Sequence, residues 1–171
     1  MSASVSAVPP PPARSDGIRP GEVMVDLPPA YDAGLFFIGA IRTPFADRAA
    51  CPKRAEPDGP VCTLEIDPRW REALSGIVPG GRLQVLYWMD QARRDLVRQS
   101  PRRDGTTTGT FSVRSPVRPN PIASSVVTVV AVDGLSIQVR SLDCVDGTPL
   151  VDLKPDFCDH GAAKADAASA P

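Results

Sequence analysis

The stretch at residues 114–122, which reads RSPVRPNPI, carries the side chains best suited to binding chemistry. Proline has no backbone N–H to give to a neighbouring strand, and it holds the residue before it in extended backbone. The three prolines therefore predict a stiff loop that presents Arg114, Arg118 and Asn120 at a small entropic cost on binding. Arginine can grip a carboxylate or a phosphate through two parallel hydrogen bonds. A rigid turn with a purely structural role is the alternative interpretation.

A second stretch, residues 142–155, places Asp143, Asp146 and Asp152 in an otherwise apolar run. A half-buried carboxylate needs a partner, because removing an unpaired charge from water is costly. The candidate partners are Arg114, Arg118 and Lys154. Pairing with them would make a structural ion-pair network. The functional alternative is contact with the hydroxyls of a ribose or with the cationic centre of a ligand.

The charge of the chain is unevenly distributed. The segment from Arg82 to Arg118 contains eight arginines and three acids, which gives it +5, whereas the whole chain carries −1 and the remainder therefore −6. A local basic face on a nearly neutral protein attracts phosphates or a carboxylate without general adhesion to nucleic acid. The alternative is a solvated face with arginine–aspartate pairs around residues 93–95.

Other residue types exclude several kinds of chemistry. The single histidine, His160, lies in an Ala/Asp-rich tail, and the four cysteines are scattered without a C-x-x-C pair. Histidine-dependent triads and zinc sites are therefore not expected, and we expect no metal; a metal site of carboxylates with one histidine is the alternative, for which the sequence has no supporting cluster. There is no run of about 18 apolar residues, so we expect no membrane association. There is also no secretory signal, so we expect a cytoplasmic location, where the cysteines would be reduced thiols. A disulfide is the alternative.

The elements that must position these residues are mainly strands. Their short apolar or alternating runs lie at residues 35–41, 61–66, 83–89, 110–113, 124–132, 135–142 and 150–153. Asp133-Gly134 is typical of a tight hairpin turn. Helices are predicted at 67–74, where Asp67-Pro68 suits a helix start, and at 91–99. The pattern predicts a mainly β fold, a small antiparallel β-barrel with one or two short helices, and the missing βαβ alternation argues against a dinucleotide-binding fold.

The composition also predicts a division into three parts. Residues 1–33 hold seven of the 20 prolines and are expected to be a flexible Pro-rich arm. Residues 34–157 are long enough to bury one hydrophobic core. Residues 158–171 are Ala-rich, and we expect a disordered tail.

Several motifs in order across residues 36–157 resemble the TsaA-like family, also known through YaeB and TrmO. They read IGAIRTPF at 38–45, CPKR at 51–54, RSPVRPNPI at 114–122 and LDCVDGTPLVDLKP at 142–155. The resemblance implies that residues 34–157 form a barrel that binds S-adenosylmethionine, usually as a homodimer. It also implies methylation of N6 of the threonylcarbamoyl-adenosine beside the tRNA anticodon.

The resemblance also assigns residues to sites. It places the cofactor near Pro52, Lys53, Arg54, Met89, Asp90, Arg114, Ile122, Ala123, Leu142, Asp143 and Cys144. Substrate contacts are expected from Arg42, Arg118, Asn120 and Lys154, with Arg114 and Arg118 as anion clamps. Asp143 and Asp146 are the candidates for handling the N6 proton, with no choice between them. The sequence departs from the family pattern at Arg54, Asp90, Ala123 and Asp156, where the family has Gln, His, Gly and Tyr.

Methyl transfer from a sulfonium is a direct displacement, so it needs alignment in a preorganised site rather than a protein nucleophile or a metal. The first hypothesis is therefore an S-adenosylmethionine-dependent tRNA methyltransferase. The alternatives are methylation of a small molecule by the same barrel, and a non-catalytic S-adenosylmethionine-binding regulator.

Overall fold

The structure, a computed structural model, describes residues 17–102 and 104–156. The predicted tail, with His160 and Cys158, and the first half of the predicted arm lie outside these residues. The chain divides into two compact units. The described part of the first comprises residues 17–34, 89–102 and 104–122, and that of the second comprises residues 35–88 and 123–156. Residues 17–33 of the predicted arm thus belong to the first unit, and the three-part division stays a prediction.

The second unit is built around a closed antiparallel barrel of six strands in the order β2-β3-β8-β7-β4-β9. The strands are β2 (Gly39–Arg42), β3 (Cys62–Ile66), β4 (Arg82–Trp88), β7 (Ile122–Asp133), β8 (Ser136–Arg140) and β9 (Thr148–Pro155). The predicted mainly β barrel is therefore confirmed. Six of the seven predicted strands correspond to these elements, with ends shifted by a few residues.

The barrel core follows from the alternation of side chains along each strand. In β3, for example, Cys62, Leu64 and Ile66 are buried, and the residues between them are more exposed. Successive side chains point to opposite faces of a strand, so alternate apolar residues collect on one side. The fully buried side chains from the other strands include Ile41, Val85, Ile137 and Leu150.

The predicted hairpin at Asp133-Gly134 joins β7 to β8. Asp133 pairs with Ser136, which leaves Gly134 and Leu135 as the two turn residues. Gly134 has φ of 58°. This left-handed conformation at the first turn position is the one that glycine tolerates without steric cost, and it matches the twist of the two strands.

Gly39 at the start of β2 is required for a different reason, the close approach of β3. A Cβ atom at this position would lie 2.0 Å from the carbonyl oxygen of Glu65. We therefore expect Gly39→Ala to lower the free energy of unfolding by about 1–3 kcal/mol, because the two strands must separate to admit the methyl group. Urea denaturation measures this. The control is Gly34→Ala, where no atom lies within 4 Å of the added carbon; an equal loss in both variants would contradict the explanation.

The first unit contains a three-stranded sheet of β1 (Val23–Met24), β5 (Leu96–Gln99) and β6 (Thr108–Gly109), with β5 in the centre. The predicted helix at 91–99 is therefore wrong. Leu96 pairs with Met24, and Gln99 pairs with Thr108. Both Leu96 and Gln99 are buried. Helix propensity is a weak preference, and the backbone hydrogen bonds to two neighbouring strands outweigh it here.

The predicted strand at 110–113 is also wrong, because Thr110–Ser112 forms a short 3₁₀ helix. Its first residue, Thr110, is buried with a hydroxyl that donates to the Leu96 carbonyl at 2.6 Å and accepts from the Gln99 amide at 2.9 Å. These bonds draw the chain inward and prevent a continuous strand. The other predicted helix is confirmed in position, as a 3₁₀ helix at Pro68–Leu74 capped by Asp67. No helix in the described part of the chain is long and apolar enough to cross a membrane.

Candidate functional site

A hydrogen-bonded group centred on Asp143 lies in the barrel unit. The hydroxyl of Tyr87, from β4, donates to Asp143 Oδ1 at 3.0 Å and lies 2.9 Å from the hydroxyl of Ser125, from β7. Tyr87 has one hydroxyl proton, which it gives to Asp143, so Ser125 must donate to Tyr87. The order of donation therefore runs from Ser125 through Tyr87 to the carboxylate.

Two properties make this group suitable for holding a charged carboxylate. Burial raises the pKa of Tyr87 well above its usual value, and the charge of Asp143 adds to this, so the phenol stays protonated as a donor. Asp143 itself is half-buried. Among the described residues, its second oxygen, Oδ2, accepts no hydrogen bond. The carboxylate is thus oriented by a hydrogen bond to one oxygen, and its other oxygen can accept a hydrogen bond or a proton.

The backbone enters this segment through a strained residue. Ser141 has φ of 76°, a left-handed conformation that is uncommon for a residue other than glycine and that clusters at functional sites. Its hydroxyl donates to the Glu56 carbonyl at 3.1 Å, and the Arg140 guanidinium donates to the Gly59 carbonyl at 2.7 Å. These bonds tie the segment that contains Asp143 to the loop that follows residue 51.

The same loop carries the predicted cofactor residues Pro52, Lys53 and Arg54, of which the two basic residues are exposed. Burial raises the pKa of the Cys51 thiol, and the nearby charge of Asp143 raises it further. The loop with residues 51–54 and the segment with residues 142–144 are thus linked through the bonds of Arg140 and Ser141 to Gly59 and Glu56. The remaining residues of the second segment, Leu142 and Cys144, are buried, and burial raises the pKa of the Cys144 thiol to about 12.

Asp146 has a different environment from Asp143. Its Oδ1 accepts the backbone N–H of Thr43 at 3.0 Å, and its Oδ2 lies 3.8 Å from the Arg42 guanidinium. The Thr43 hydroxyl also donates to the Cys144 carbonyl at 2.9 Å. Asp146 therefore connects the end of β2 to the loop before β9 through these contacts.

The predicted substrate residues of the barrel unit are both paired with acids. Arg42 bonds Glu65 at 2.7 Å, and Lys154 bonds Asp152 at 2.7 Å. All four side chains are about half exposed. Pairs of this kind contribute little to stability and can exchange their partners at small cost. Of the ion-pair network predicted for the aspartates, the Lys154–Asp152 pair is present.

The proline-containing loop at 114–122 belongs to the first unit, whereas the aspartate segment at 142–155 belongs to the barrel unit. Arg118 donates from one guanidinium nitrogen to the carbonyls of Thr110 and Val113, at 3.4 and 3.1 Å. Arg94 donates to the Pro119 carbonyl and, at 3.4 Å, to the Asn120 side-chain oxygen. The loop is thus held by arginines as well as stiffened by prolines. Arg114 is exposed.

Two more predicted cofactor residues adjoin this loop in the first unit. The Met89 N–H donates to the Pro121 carbonyl, and the Ile122 N–H donates to the Asn120 carbonyl, both at 2.8 Å. Asp90 follows Met89 and is exposed. Ala123, the next residue of β7, belongs to the barrel unit. In the described residues no three or more of His, Cys, Asp and Glu lie together as metal ligands would.

Sequence reasoning missed Tyr87 and Ser125, because both stand in apolar or β-branched runs that predict only strands. One signal was available. Tyr87 follows Leu83 and Val85 at the alternating inward positions of β4, where a hydroxyl requires a partner. The pattern contained no information about which partner that would be.

The six-stranded antiparallel barrel of the second unit places the chain among the small β-barrel proteins. The sequence profile of the tRNA-methyltransferase O N-terminal domain family (TrmO_N) matches residues 40–160. The chain is 52% identical over 142 residues to the probable S-adenosyl-L-methionine-binding protein VirR of Rhizobium radiobacter, covering 83% of this chain and 81% of that protein. The chain belongs to the TrmO N-terminal domain family, as the resemblance predicted.

Two further similarities cover a smaller share of the other protein. A crystal structure of TrmO from Pseudomonas aeruginosa matches with a TM-score of 0.61 and 27% identity, over 82% of this chain. This chain spans 64% of the length of that protein. The tRNA (adenine(37)-N6)-methyltransferase of Mus musculus is 42% identical over 62 residues, which are 36% of this chain and 14% of the mouse protein.

Proposed function

We propose that this protein binds S-adenosylmethionine and transfers its methyl group to N6 of an adenosine in tRNA. The threonylcarbamoyl-adenosine beside the anticodon is the acceptor that the family resemblance implies. Membership of the family and the names of the relatives support this proposal. The observation that carries it is the Asp143 carboxylate, which is held by Tyr87 through one oxygen and has the other available.

The residues of the barrel unit suit this cofactor. S-adenosylmethionine supplies a methyl group on a positively charged sulfonium, which a nitrogen can attack directly. The exposed Lys53 and Arg54 provide cations for its carboxylate, and the Asp143 carboxylate provides a negative charge nearby. The buried Leu142 and Cys144 and the half-buried Pro52 and Ala123 provide apolar walls. In the first unit, Met89, Asp90, Arg114 and Ile122 remain cofactor candidates.

Asp143 is the better candidate for the proton of the acceptor nitrogen. Attack of this nitrogen on the methyl carbon would break the carbon–sulfur bond, release the neutral thioether and leave the nitrogen positively charged, so its proton must pass to a base. Asp146 already uses one oxygen on a backbone N–H and the other near Arg42. Asp143 has an oxygen without a hydrogen bond among the described residues, so we assign the proton to Asp143.

The substrate-binding role of the arginines stays a proposal. Arg42, Arg118, Asn120 and Lys154 are the candidates for the carboxylate and phosphates of the modified tRNA. The pairs of Arg42 and Lys154 with acids are half exposed, so an anionic substrate can compete for these cations. Assembly as a homodimer and a cytoplasmic location are likewise proposed from the resemblance.

The direct test incubates the protein with labelled S-adenosylmethionine and bulk tRNA from a strain that lacks this activity. Nucleoside analysis should show the label on threonylcarbamoyl-adenosine. Absence of label on this nucleoside, with calorimetry showing that the cofactor is bound, would exclude the tRNA reaction.

A second candidate is a protein that binds S-adenosylmethionine without acting on tRNA. It is favoured by the relative at 52% identity, which is named a binding protein rather than a methyltransferase. The two functions differ in one measurement, the turnover of bound cofactor in the presence of tRNA. Calorimetric binding without turnover would support this second candidate.

If Asp143 handles the proton, Tyr87 is a residue that positions it. Tyr87→Phe keeps the ring but removes the hydrogen bond to the carboxylate, and we expect a decrease in kcat of about tenfold. The KM for tRNA should be unchanged, because the hydroxyl acts through the Asp143 carboxylate. The control is Ser124→Ala, which removes the neighbouring hydroxyl that accepts from Gln84 at 2.9 Å. An equal decrease in this variant would assign the effect to the strand rather than to Asp143.

A further inference from the structure

Phe111 is a large aromatic residue on the surface of the first unit, with 83% of the residue's surface exposed. It stands in the middle of the short 3₁₀ helix Thr110–Ser112. This turn is firmly held, because the buried Thr110 hydroxyl bonds both the Leu96 carbonyl and the Gln99 side chain. The ring is therefore presented from a fixed support, which lowers the entropic cost of binding through it.

The surroundings of Phe111 are cationic. Arg98 on β5 pairs with Gly109, two residues before the ring, and is exposed. Arg114, three residues after the ring, is exposed as well. Arg118 donates to the carbonyl of Thr110, within the same turn. The sequence contains no acid between Asp104 and Asp133, so Phe111, Arg114 and Arg118 have no acidic neighbour in this stretch of the chain.

We propose that Phe111 and its flanking arginines form a surface that binds RNA by stacking on an unpaired base. The inference rests on the proposed function, which it deepens by stating how the RNA is held. Aromatic rings stack on the faces of bases while arginines bind the phosphates on either side. Charge complementarity favours RNA over a protein partner, because the exposed chain neighbours Gly109, Ser112 and Arg114 add a cation but no apolar side chain, and RNA carries a negative phosphate at every nucleotide.

An exposed ring that binds by stacking also distinguishes unpaired RNA from double-helical RNA. In a double helix the faces of the bases are covered by their neighbours, so an exposed ring can stack only on nucleotides in loops, bulges or ends. The surface should therefore prefer a stem–loop to a blunt duplex of the same stem. A nucleoside N6 inside a helix is also inaccessible to an enzyme, so a loop-binding surface agrees with the proposed reaction.

The test uses the full chain and two fluorescent RNA probes, a stem–loop with an open loop and the same stem closed as a blunt duplex. Phe111→Ala should weaken binding of the stem–loop by about 5- to 150-fold and leave its salt dependence unchanged, because stacking releases no counterions. Phe111→Leu, which keeps an apolar side chain without a flat ring, should also bind weakly. Arg98→Ala should instead reduce the slope of log Kd against log salt by about 0.7 to 0.9.

The matched control is Phe36→Ala, which removes an equally exposed ring (80%) from the barrel unit. It should bind the stem–loop as the wild type does. Equal affinity of Phe111→Ala and the wild type would overturn the inference, and so would equal binding of stem–loop and duplex. A change in sedimentation mass without a change in RNA affinity would also overturn it, by assigning Phe111 to a contact between copies. Binding of S-adenosylmethionine is measured separately by calorimetry, so that a loss of RNA binding can be distinguished from a loss of cofactor binding.

Discussion

Replacement of Asp143 by asparagine is expected to reduce the rate of methyl transfer by about 10²- to 10⁴-fold, the usual contribution of a general base. Asparagine keeps the shape of the side chain but cannot accept a proton at neutral pH. Tyr87 can still donate to the amide oxygen, so the barrel and the position of the side chain should be preserved. The loss should therefore appear in the chemical step, measured by single-turnover transfer of labelled methyl groups to tRNA.

The control for this variant is Asp152→Asn, on the same segment. Asp152 is paired with Lys154 at the surface, so its replacement should leave the rate near that of the wild type. Calorimetry of both variants with S-adenosylmethionine separates loss of binding from loss of chemistry. A wild-type rate in Asp143→Asn would remove Asp143 from the reaction, and Asp146→Asn would then be the variant to measure.

Leu150→Ala is expected to lower the free energy of unfolding by about 2–5 kcal/mol, the range for a large-to-small change in a well-packed core. Leu150 is completely buried. Its strand β9 pairs with both β2 and β4, with Leu150 opposite Gly39 on one side and Tyr87 on the other. The cavity would thus open where the barrel is closed by strands from three parts of the chain, and these cannot readily collapse into it.

The matched control is Leu35→Ala, the same substitution at a side chain that is 51% exposed. It should change stability by no more than about 0.5 kcal/mol, as is usual for surface positions. Denaturation by urea, followed by circular dichroism, measures both. Comparable losses in the two variants would show that the barrel interior is not the main source of stability.

Much of the barrel could be predicted because its signals are local. The alternation in β3 and the β-branched run of β7 each identify a strand from a few neighbouring residues. Gly134 identifies the turn between β7 and β8 in the same way. Where the prediction was wrong, at 91–99 and 110–113, the local preference was weak and distant partners decided the conformation. Pairing of β5 with β1 and β6 and the buried Thr110 hydroxyl are contacts that no short window contains.

For the candidate site, the motifs indicated Asp143, Asp146, Arg114 and Arg118 by type and spacing alone. They left the two aspartates equivalent. The structure distinguishes their environments: Asp146 is engaged through both oxygens by Thr43 and Arg42, and Asp143 accepts a hydrogen bond from Tyr87 through one oxygen. What each residue does in a reaction remains a prediction, for which the variants above are the test.

By itself, the sequence determined a mainly β barrel, the segments with binding chemistry and the family, because these depend on periodicity, turn residues and motif order. Only the tertiary structure decided how the carboxylate of Asp143 is held, since Tyr87 lies 56 residues away in the chain. It also decided that Phe111 faces solvent, although it is an aromatic residue in a β-rich chain. The physical reason is the same in both cases. Burial and long-range hydrogen bonds depend on which strands become neighbours when the sheets form, and that information is not contained in any local pattern.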